Sequence, residues 1–172
     1  MEVMSLIKKA KKGDDGAFYE LMQIHKIRLL KIAFSYLRNE EDALEALQEV
    51  TFRAYRSIHK VKEVEYFSTW LIRIMLNYCH DQARKKKRIT DTGILENLAE
   101  TVDHSQTLEI QEALLKIDSR SREVIILKYY HDLRIKDIAE ILESPESTIK
   151  TWLYKGLKAL RNQMEDRSGF NV

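Results

Sequence analysis

The sequence predicts an all-α protein made of two small helical domains joined by a flexible linker, with a helix-turn-helix in the second domain. Apolar residues recur at spacings of three and four from one end of the chain to the other. Five glycines and one proline among 172 residues leave few of the turns that strands and hairpins require. The charge also changes sign, because the basic run 84–88 precedes an acidic stretch, 91–112, that contains no Lys or Arg. We therefore expect an N-terminal domain at residues 1–88, an acidic linker at 89–106 and a C-terminal domain at 107–172.

The first domain is expected to begin with three helices. The opening helix packs through Leu6, Ile7 and Ala10 and ends near Gly13. Asn39 is placed to cap the third helix, whose acidic first turn the helix dipole favours. The residues expected to pack are Phe18, Leu21, Ile24, Leu29, Ala33 and Tyr36 in the second helix, and Ala43, Leu47, Val50, Ala54 and Ile58 in the third.

The opposite side of the third helix is a candidate docking surface. It carries Glu45, Gln48, Glu49 and Phe52, so an exposed aromatic ring would lie beside carboxylates and an amide. Glu45 and Glu49 could also indicate acid/base or metal chemistry, but the sequence places no His or Asp with them. A docking face or a merely solvated face is therefore the favoured interpretation.

The fourth helix combines a buried side with a side suited to single-stranded or distorted DNA. A polar connector, 60–66, leads to Ser68, which is expected to cap a helix that continues to about Arg88. Its buried side consists of Leu71, Ile74, Met75, Tyr78 and Cys79. The other side carries Trp70, Arg73, Asn77, Asp81 and Arg84, and it leads into Lys86 and Lys87. A ring can stack on a base, an amide can read a base edge and cations can hold phosphates. Core packing and a solvated helix end would explain the same residues.

The segment from Ile135 to Arg161 has the apolar spacing of two short helices across a tight turn. Ser144 is expected to accept bonds from the N–H groups of the second helix, and Pro145 suits its first turn. The residues expected to pack are Ile135, Ile138, Ala139, Ile141 and Leu142 in the first helix, and Ile149, Trp152, Leu153, Leu157 and Leu160 in the second. The second helix has lysines but no acid from 147 to 162, so it can enter a major groove. A helical hairpin with solvated lysines is the alternative.

Other functional classes have less support in the sequence. Five dispersed histidines and the lack of a glycine-rich phosphate loop disfavour an enzyme, so no cofactor and no metal are expected. No long apolar run and no signal-peptide core are present, which predicts a cytoplasmic chain without membrane insertion. A repressor or a response-regulator output domain would explain the helix-turn-helix but neither the basic aromatic helix nor the Gln-Glu face.

Three segments together resemble the extracytoplasmic-function (ECF) group of bacterial RNA polymerase sigma factors. EDALEALQEVTFRAYR, 41–56, is similar to the region that docks on the polymerase, and FSTWLIRIMLNYCHDQARKKKR, 67–88, is similar to the segment that recognises and opens the minus-ten element. The helix-turn-helix, with Pro145, Thr148 and Lys150, resembles the reader of the minus-thirty-five element. The departures from the family pattern are Ser147 for Gly, Trp152 for Arg, and Ile117-Asp118 for Leu-Pro.

This resemblance implies partners and residue roles. The implied partners are core RNA polymerase, promoter DNA and an anti-sigma factor, which in many members is anchored in the membrane. The implied contacts with polymerase are Glu45, Gln48, Glu49 and Phe52. The implied contacts with minus-ten DNA are Lys62 and Tyr66 in a base-capturing loop, then Trp70, Arg73, Asn77, Asp81, Arg84, Lys86 and Lys87. Those with minus-thirty-five DNA are Thr148, Lys150, Thr151, Tyr154 and Lys155.

Overall fold

The computed structural model describes residues 2–89 and 106–169, and none of these residues lies in a β-strand. The chain divides into two compact units, with the division between residues 92 and 93. The predicted all-α fold with two helical domains is therefore confirmed. Apart from its two end residues, the predicted linker 89–106 lies outside the described residues, and the exact domain boundaries stay a prediction. Every helix within residues 2–89 and 106–169 is too short or too polar to span a membrane.

The described residues of the N-terminal unit, 2–89, form four helices and a connector. The helices are α1 (Glu2–Lys11), α2 (Asp15–Leu37), α3 (Glu40–Ser57) and α4 (Phe67–Ile89). The connector between α3 and α4 contains two short 3₁₀ turns, Ile58–Lys60 and Val64–Tyr66. Leu21 and Ile32 of α2, Val50 of α3, and Leu71 and Met75 of α4 are completely buried. α2 packs against α1, α3 and α4, so it is the central helix of this unit.

The helix starts in this unit follow the expected chemistry. The Asn39 side chain accepts a hydrogen bond from the Asp42 backbone N–H at 3.0 Å, which confirms the predicted cap of α3. Asp14 caps α2 in the same way, accepting from the Ala17 N–H at 2.9 Å. Leu6, Ile7 and Ala10 are buried, as the sequence predicts.

Two predictions about this unit are wrong. Ile24 is half exposed, although it was expected to pack in α2. Helix α2 contacts three other helices. Which of its residues are buried therefore depends on how those helices are arranged around it, and not only on the spacing of apolar residues in its sequence. Ser68 does not cap α4, because the second 3₁₀ turn continues directly into a helix that begins at Phe67. Ser68 therefore lies inside the helix.

The C-terminal unit contains the predicted helix-turn-helix. Its helices are α5 (Gln106–Leu115), α6 (Ser119–Ile125, continued by a π-helical turn, Ile126–Tyr130), α7 (Ile135–Ile141) and α8 (Glu146–Ser168). α7 packs against α8, with Ile138 and Ile149 completely buried. Asp118, which replaces the proline of the family pattern, caps α6 by accepting from the Ser121 N–H at 3.0 Å. α8 also packs closely on α6.

The turn and the second helix differ from the prediction at four residues. Glu143 has a left-handed φ of +51°, and the Ser144 hydroxyl donates back to the Leu142 carbonyl at 3.2 Å, so Ser144 does not cap α8. Pro145 occupies the N-cap position instead.

The buried side of α8 also differs from the prediction. Leu157 is 37% exposed and Leu153 is only half-buried, because α8 meets α6 through the neighbouring residue Gly156. The helix therefore buries Ile149 and Gly156 more deeply than the leucines.

Candidate docking and nucleic-acid surfaces

An apolar groove runs between α2 and α3. Its lining residues are Asp15, Phe18, Tyr19, Met22, Gln23 and Lys26 of α2, and Leu47, Gln48, Thr51, Phe52 and Tyr55 of α3. The Phe18 and Tyr55 rings meet edge to face with centroids 5.2 Å apart. The Tyr55 hydroxyl donates to Asp15 at 2.8 Å, and this bond raises the pKa of Tyr55. One aromatic contact and one hydrogen bond therefore fix the two walls of the groove to each other.

Two of the four predicted docking residues, Gln48 and Phe52, line this groove. Phe52 is 55% exposed, and the Arg56 guanidinium carbon lies 5.5 Å from its ring centroid. Gln48 is exposed and belongs to the apolar groove, whereas Glu45 is exposed on the side that faces α4. The Glu49 carboxylate accepts from Arg53 at 2.8 Å, so this side chain already has a partner.

A second, polar groove lies between α3 and α4. It is lined by Glu45, Gln48, Glu49 and Arg53 of α3, and by Tyr78, Gln82 and Lys85 of α4. The Arg53 guanidinium carbon stands 5.4 Å from the Tyr78 ring centroid. Burial, followed by the nearby Glu45 and Glu49 carboxylates, raises the pKa of Tyr78, so the ring stays neutral at physiological pH. Gln48 lines both grooves, and the predicted docking residues therefore form one continuous surface.

The connector brings its predicted residues to the start of α4. Val61 is buried, Lys62 is exposed and Tyr66 is half-buried. The Lys11 ammonium group donates to the Val61 carbonyl, which ties α1 to the connector. Phe67 is buried, and its ring lies 5.7 Å from that of Trp70.

The outer side of α4 is polar along its length. Trp70 and Arg73 are half-buried, whereas Asn77, Asp81 and Arg84 are exposed, and Asp81 pairs with Arg84 at 3.5 Å. Spacings of three, four, four and three residues place these five side chains along one stripe of the helix.

The basic end of α4 is connected to α3. The Lys86 ammonium pairs with the Asp42 carboxylate in the first turn of α3, at 2.5 Å. Lys87 lies within α4, but its side chain is outside the described part of the chain. The sequence did not predict the pair, because nothing in it places residues 42 and 86 together. A partner that binds Lys86 must therefore compete with Asp42.

The predicted DNA face of α8 is largely exposed. Lys150, Thr151 and Tyr154 are exposed, the last by 71%, and Thr148 is half-buried. The Thr151 hydroxyl donates within the helix to the Ser147 carbonyl at 2.9 Å. These residues therefore present a hydroxyl group, an aromatic ring and a cation on one side of the helix.

Two side chains of α8 turn towards α6. The Lys155 ammonium lies 3.7 Å from the Asp118 carboxylate, and the Arg120 guanidinium carbon lies 5.7 Å from the Trp152 ring centroid. Trp152 is half-buried, so at the position of the family's arginine this chain has an aromatic ring that joins the packing between α6 and α8. Lys155 remains exposed beside Asp118.

Sequence reasoning missed the α2 side of the apolar groove. Tyr19 is 66% exposed, and Met22, Gln23 and Lys26 follow it along the same side of the helix. Tyr19 and Gln23 are four residues apart, which is only a weak indication of an exposed stripe on α2. The groove itself forms only when α2 packs beside α3.

Comparison with known proteins identifies the family. Residues 21–89 match the family described as Sigma-70 region 2, and residues 107–160 match the family described as Sigma-70, region 4. The ECF RNA polymerase sigma factor SigW of Bacillus subtilis (strain 168) is 34% identical, over 96% of this chain and 98% of SigW. The chain belongs to the ECF group of RNA polymerase sigma factors. This sigma factor is therefore a transcription initiation factor.

Further relatives extend this comparison. The RNA polymerase sigma factor SigV of Bacillus subtilis is 35% identical to this sigma factor over 81% of the chain and 86% of SigV. The structure of CnrH in complex with the cytosolic domain of CnrY matches with a TM-score of 0.71 and 21% identity, over 96% of this chain and 99% of that one. The sigma factor RpoE, in complex with the anti-sigma factor NepR from Bartonella quintana, matches with a TM-score of 0.68 and 21% identity, over 85% and 97%. These two structures support the fold of the sigma factor.

Proposed function

We propose that the sigma factor uses three separate surfaces in transcription initiation. The α3 surface around Gln48 and Phe52, together with the apolar groove, docks on core RNA polymerase. The connector and the outer side of α4 hold and open the minus-ten element. The exposed side of α8 reads the minus-thirty-five element. We place the polymerase-docking and minus-ten surfaces in a domain at 1–88, and the minus-thirty-five surface in a domain at 107–172.

The observation that carries this proposal is the separation of two chemically different faces on one helical unit. The α2–α3 groove exposes mainly apolar surface, from aromatic and aliphatic side chains such as Phe18, Met22 and Phe52, and such a surface suits a protein partner. The outer side of α4 instead presents a half-buried tryptophan, an exposed amide and cations, which suit an unstacked DNA strand. The two faces lie on different helices, so one unit can bind polymerase and DNA at the same time.

Individual residues have distinct proposed roles. Trp70 offers a ring for stacking, and Asn77 is the residue best placed to read a base edge. Lys62 and Tyr66 belong to the connector that would hold an extruded base. The phosphate contacts are assigned to Arg73, Arg84, Lys86 and Lys87, and Asp81 orients Arg84 through their ion pair.

On α8 the residues proposed to contact DNA and the residues that pack within the C-terminal unit lie on different sides of the helix. Lys150, Thr151 and Tyr154 would contact the duplex directly, and Thr148 and Lys155 would flank them. Lys155 is paired with the Asp118 carboxylate, so its ammonium group must leave that carboxylate to bind a DNA phosphate.

Regulation by an anti-sigma factor is part of the proposal. One similar solved structure holds the sigma factor RpoE bound to the anti-sigma factor NepR, and another holds CnrH bound to the cytosolic domain of CnrY. We infer that this sigma factor acts in the bacterial cytoplasm and reaches the membrane only through an anchored anti-sigma partner.

Transcription with purified components tests the proposal. Core polymerase, the sigma factor or both are incubated with a library of genomic fragments, and transcript ends are mapped. We expect discrete start sites only when both proteins are present. Specific binding of an operator by the sigma factor alone, with no effect on start-site choice by core polymerase, would contradict the proposal and indicate a repressor.

A further inference from the structure

The C-terminal end of α1, the turn after it and the connector carry a group of lysines that neither the docking face nor the α4 face explains. Lys8 and Lys12 are exposed, and Lys11 is half-buried between them. Lys60 and Lys62 are exposed on the connector, on either side of Val61. We call these five residues the lysine rim.

The members of the lysine rim are held together by packing and by one hydrogen bond. Helix α1 contacts both 3₁₀ turns of the connector. The Val61 side chain is 5% exposed, so its burial directs the neighbouring Lys60 and Lys62 outward. The Lys11 ammonium donates to the Val61 carbonyl and fixes the end of α1 against the same residue. The rim is therefore part of a packed structure that includes the connector.

The charge of this region is positive on balance. The acids on the connector, Glu63 and Glu65, are exposed, and they are two against the five lysines. Asp14 and Asp15, which follow α1, already accept hydrogen bonds from the Ala17 N–H and the Tyr55 hydroxyl. A surface with an excess of ammonium groups next to a nucleic-acid site is suited to phosphate groups.

We propose that the lysine rim binds the phosphates of the non-template DNA strand beside the base held by the connector. This inference rests on the proposed function, because it extends the connector surface from Lys62 onto α1. Lys8 and Lys12 supply the new contacts, whereas Lys11 keeps α1 in place. The contacts involve only the sugar-phosphate chain, so they strengthen binding to many promoters without selecting among them.

The helix offers a matched control for this proposal. Lys8 and Lys9 are adjacent, both exposed and identical in charge. At about 100° per residue, Lys8 lies about 60° around the helix from Lys11, whereas Lys9 lies about 160° from it. Lys8 is therefore much closer to Lys11 around the helix than Lys9 is.

Site-specific photocrosslinking tests the placement. The only cysteine, Cys79, is completely buried, and burial raises its pKa to about 12, so it does not react with a thiol-directed crosslinker. Lys8→Cys and Lys9→Cys proteins are labelled with a photoactivatable aryl azide and assembled with core polymerase. The probe is a promoter fragment on which the parent protein initiates. We expect crosslinks from position 8 to the non-template strand near the flipped base, and several-fold fewer from position 9.

Salt dependence provides a second readout that needs no label. Lys8→Glu combined with Lys12→Glu should weaken binding of the polymerase complex to a forked promoter probe. The slope of log affinity against log salt should become shallower by about 0.7 for each lost single-strand contact. Lys9→Glu should leave both quantities unchanged.

The outcomes separate this inference from the proposed function. If the parent complex opens the promoter but positions 8 and 9 crosslink equally, or if Lys8→Glu with Lys12→Glu behaves like Lys9→Glu, the lysine rim is not a DNA surface and the proposed function stands. If the parent protein with core polymerase opens no promoter, both proposals are overturned.

Discussion

Gly156 of α8 lies directly against Ser121 of α6. A methyl group on the Gly156 Cα would stand 3.0 Å from the Ser121 Cβ and 2.8 Å from the Ile125 Cδ1. Ser121 is completely buried and begins the buried side of α6. This contact sets the distance between α6 and the DNA-facing helix, so the geometry of the helix-turn-helix depends on a residue without a side chain.

Gly156→Ala should destabilise the C-terminal unit by about 1–3 kcal/mol, because the added methyl group overpacks the crossing. Gly169→Ala is the control, since its Cβ would meet only backbone oxygens at 3.7 and 3.8 Å. Denaturant unfolding of the full chain can be followed through Trp152 fluorescence in a Trp70→Phe background. Equal denaturant midpoints of unfolding for the two variants would show that α6 and α8 are not in close contact at Gly156 and Ser121.

The cap of α6 predicts a dependence on pH. The Ser121 backbone bond, with a smaller contribution from Lys155, holds the pKa of Asp118 below its ordinary value of 3.8. A carboxylate with a lowered pKa stabilises the fold above its unfolded pKa, and this stabilisation is lost as pH falls through the folded value. Asp118→Ala should therefore cost about 1 kcal/mol at pH 7.

That cost should decrease as the pH falls below 3.8, because protonation weakens the cap in the parent protein as well. The control is Asp118→Asn, which retains a capping oxygen and does not titrate. The free energies of unfolding of the three proteins, measured from pH 7 down to pH 3, check this prediction. A difference between parent and Asp118→Ala that is the same at both ends of the range would show that the carboxylate charge is not involved.

The sequence predicted those features that depend on local chemistry. Helix positions, the Asn39 cap, the buried Cys79 and the order of the helix-turn-helix all follow from periodicity and capping, which are readable within one segment. Phe52, Asn77 and Lys150 are exposed, as contacts with a partner require, and the contacts themselves remain predictions.

Apart from the caps expected at Ser68 and Ser144, the features that the sequence did not predict depend on how helices meet. Ile24 is exposed because α2 has three neighbours, and Leu157 is partly exposed because α8 crosses α6 at Gly156. The pair between Asp42 and Lys86 joins residues that are far apart in the chain. Periodicity within one helix carries no information about such contacts.

The pair of Asp42 and Lys86 should limit binding of the protein to DNA of any sequence. Asp42→Asn removes the ion pair between Asp42 and the Lys86 ammonium group, so affinity for unrelated duplex DNA should rise and its salt dependence should steepen. Stability should change by less than about 1 kcal/mol, since the pair is partly exposed. Glu41→Gln, an equal change of charge in the same turn, is the control. Equal effects of the two substitutions on DNA affinity would show that the general charge, and not the Lys86 pair, is responsible.

Substitution of a DNA-facing residue and substitution of a buried residue in α8 should have different effects. Lys150→Ala removes an exposed cation, so transcription from promoters that depend on a minus-thirty-five element should fall while the melting temperature stays unchanged. Ile149→Ala removes a completely buried side chain and should cost on the order of 2–5 kcal/mol. Transcription from promoters with intact and scrambled minus-thirty-five elements, beside thermal melting, separates the two effects. Equal loss on both promoters with Lys150→Ala would mean that this lysine does not read the element.

Polymerase docking and promoter opening are expected to use different faces of the N-terminal unit. Gln48→Ala with Phe52→Ala changes the docking edge without touching Glu49, whose carboxylate holds Arg53. Asn77→Ala changes the outer side of α4 alone. Each protein is measured for affinity to core polymerase by competition with the labelled parent, and for promoter melting by permanganate footprinting at saturating sigma factor.

We expect the double variant to lose about tenfold or more in affinity for core polymerase, as loss of docking side chains at an interface commonly does, and to melt the promoter normally once saturated. Asn77→Ala should bind core polymerase like the parent but melt the promoter less, or with an altered sequence preference. Full affinity of the double variant, or loss of both activities together in either variant, would contradict the assignment of the two faces.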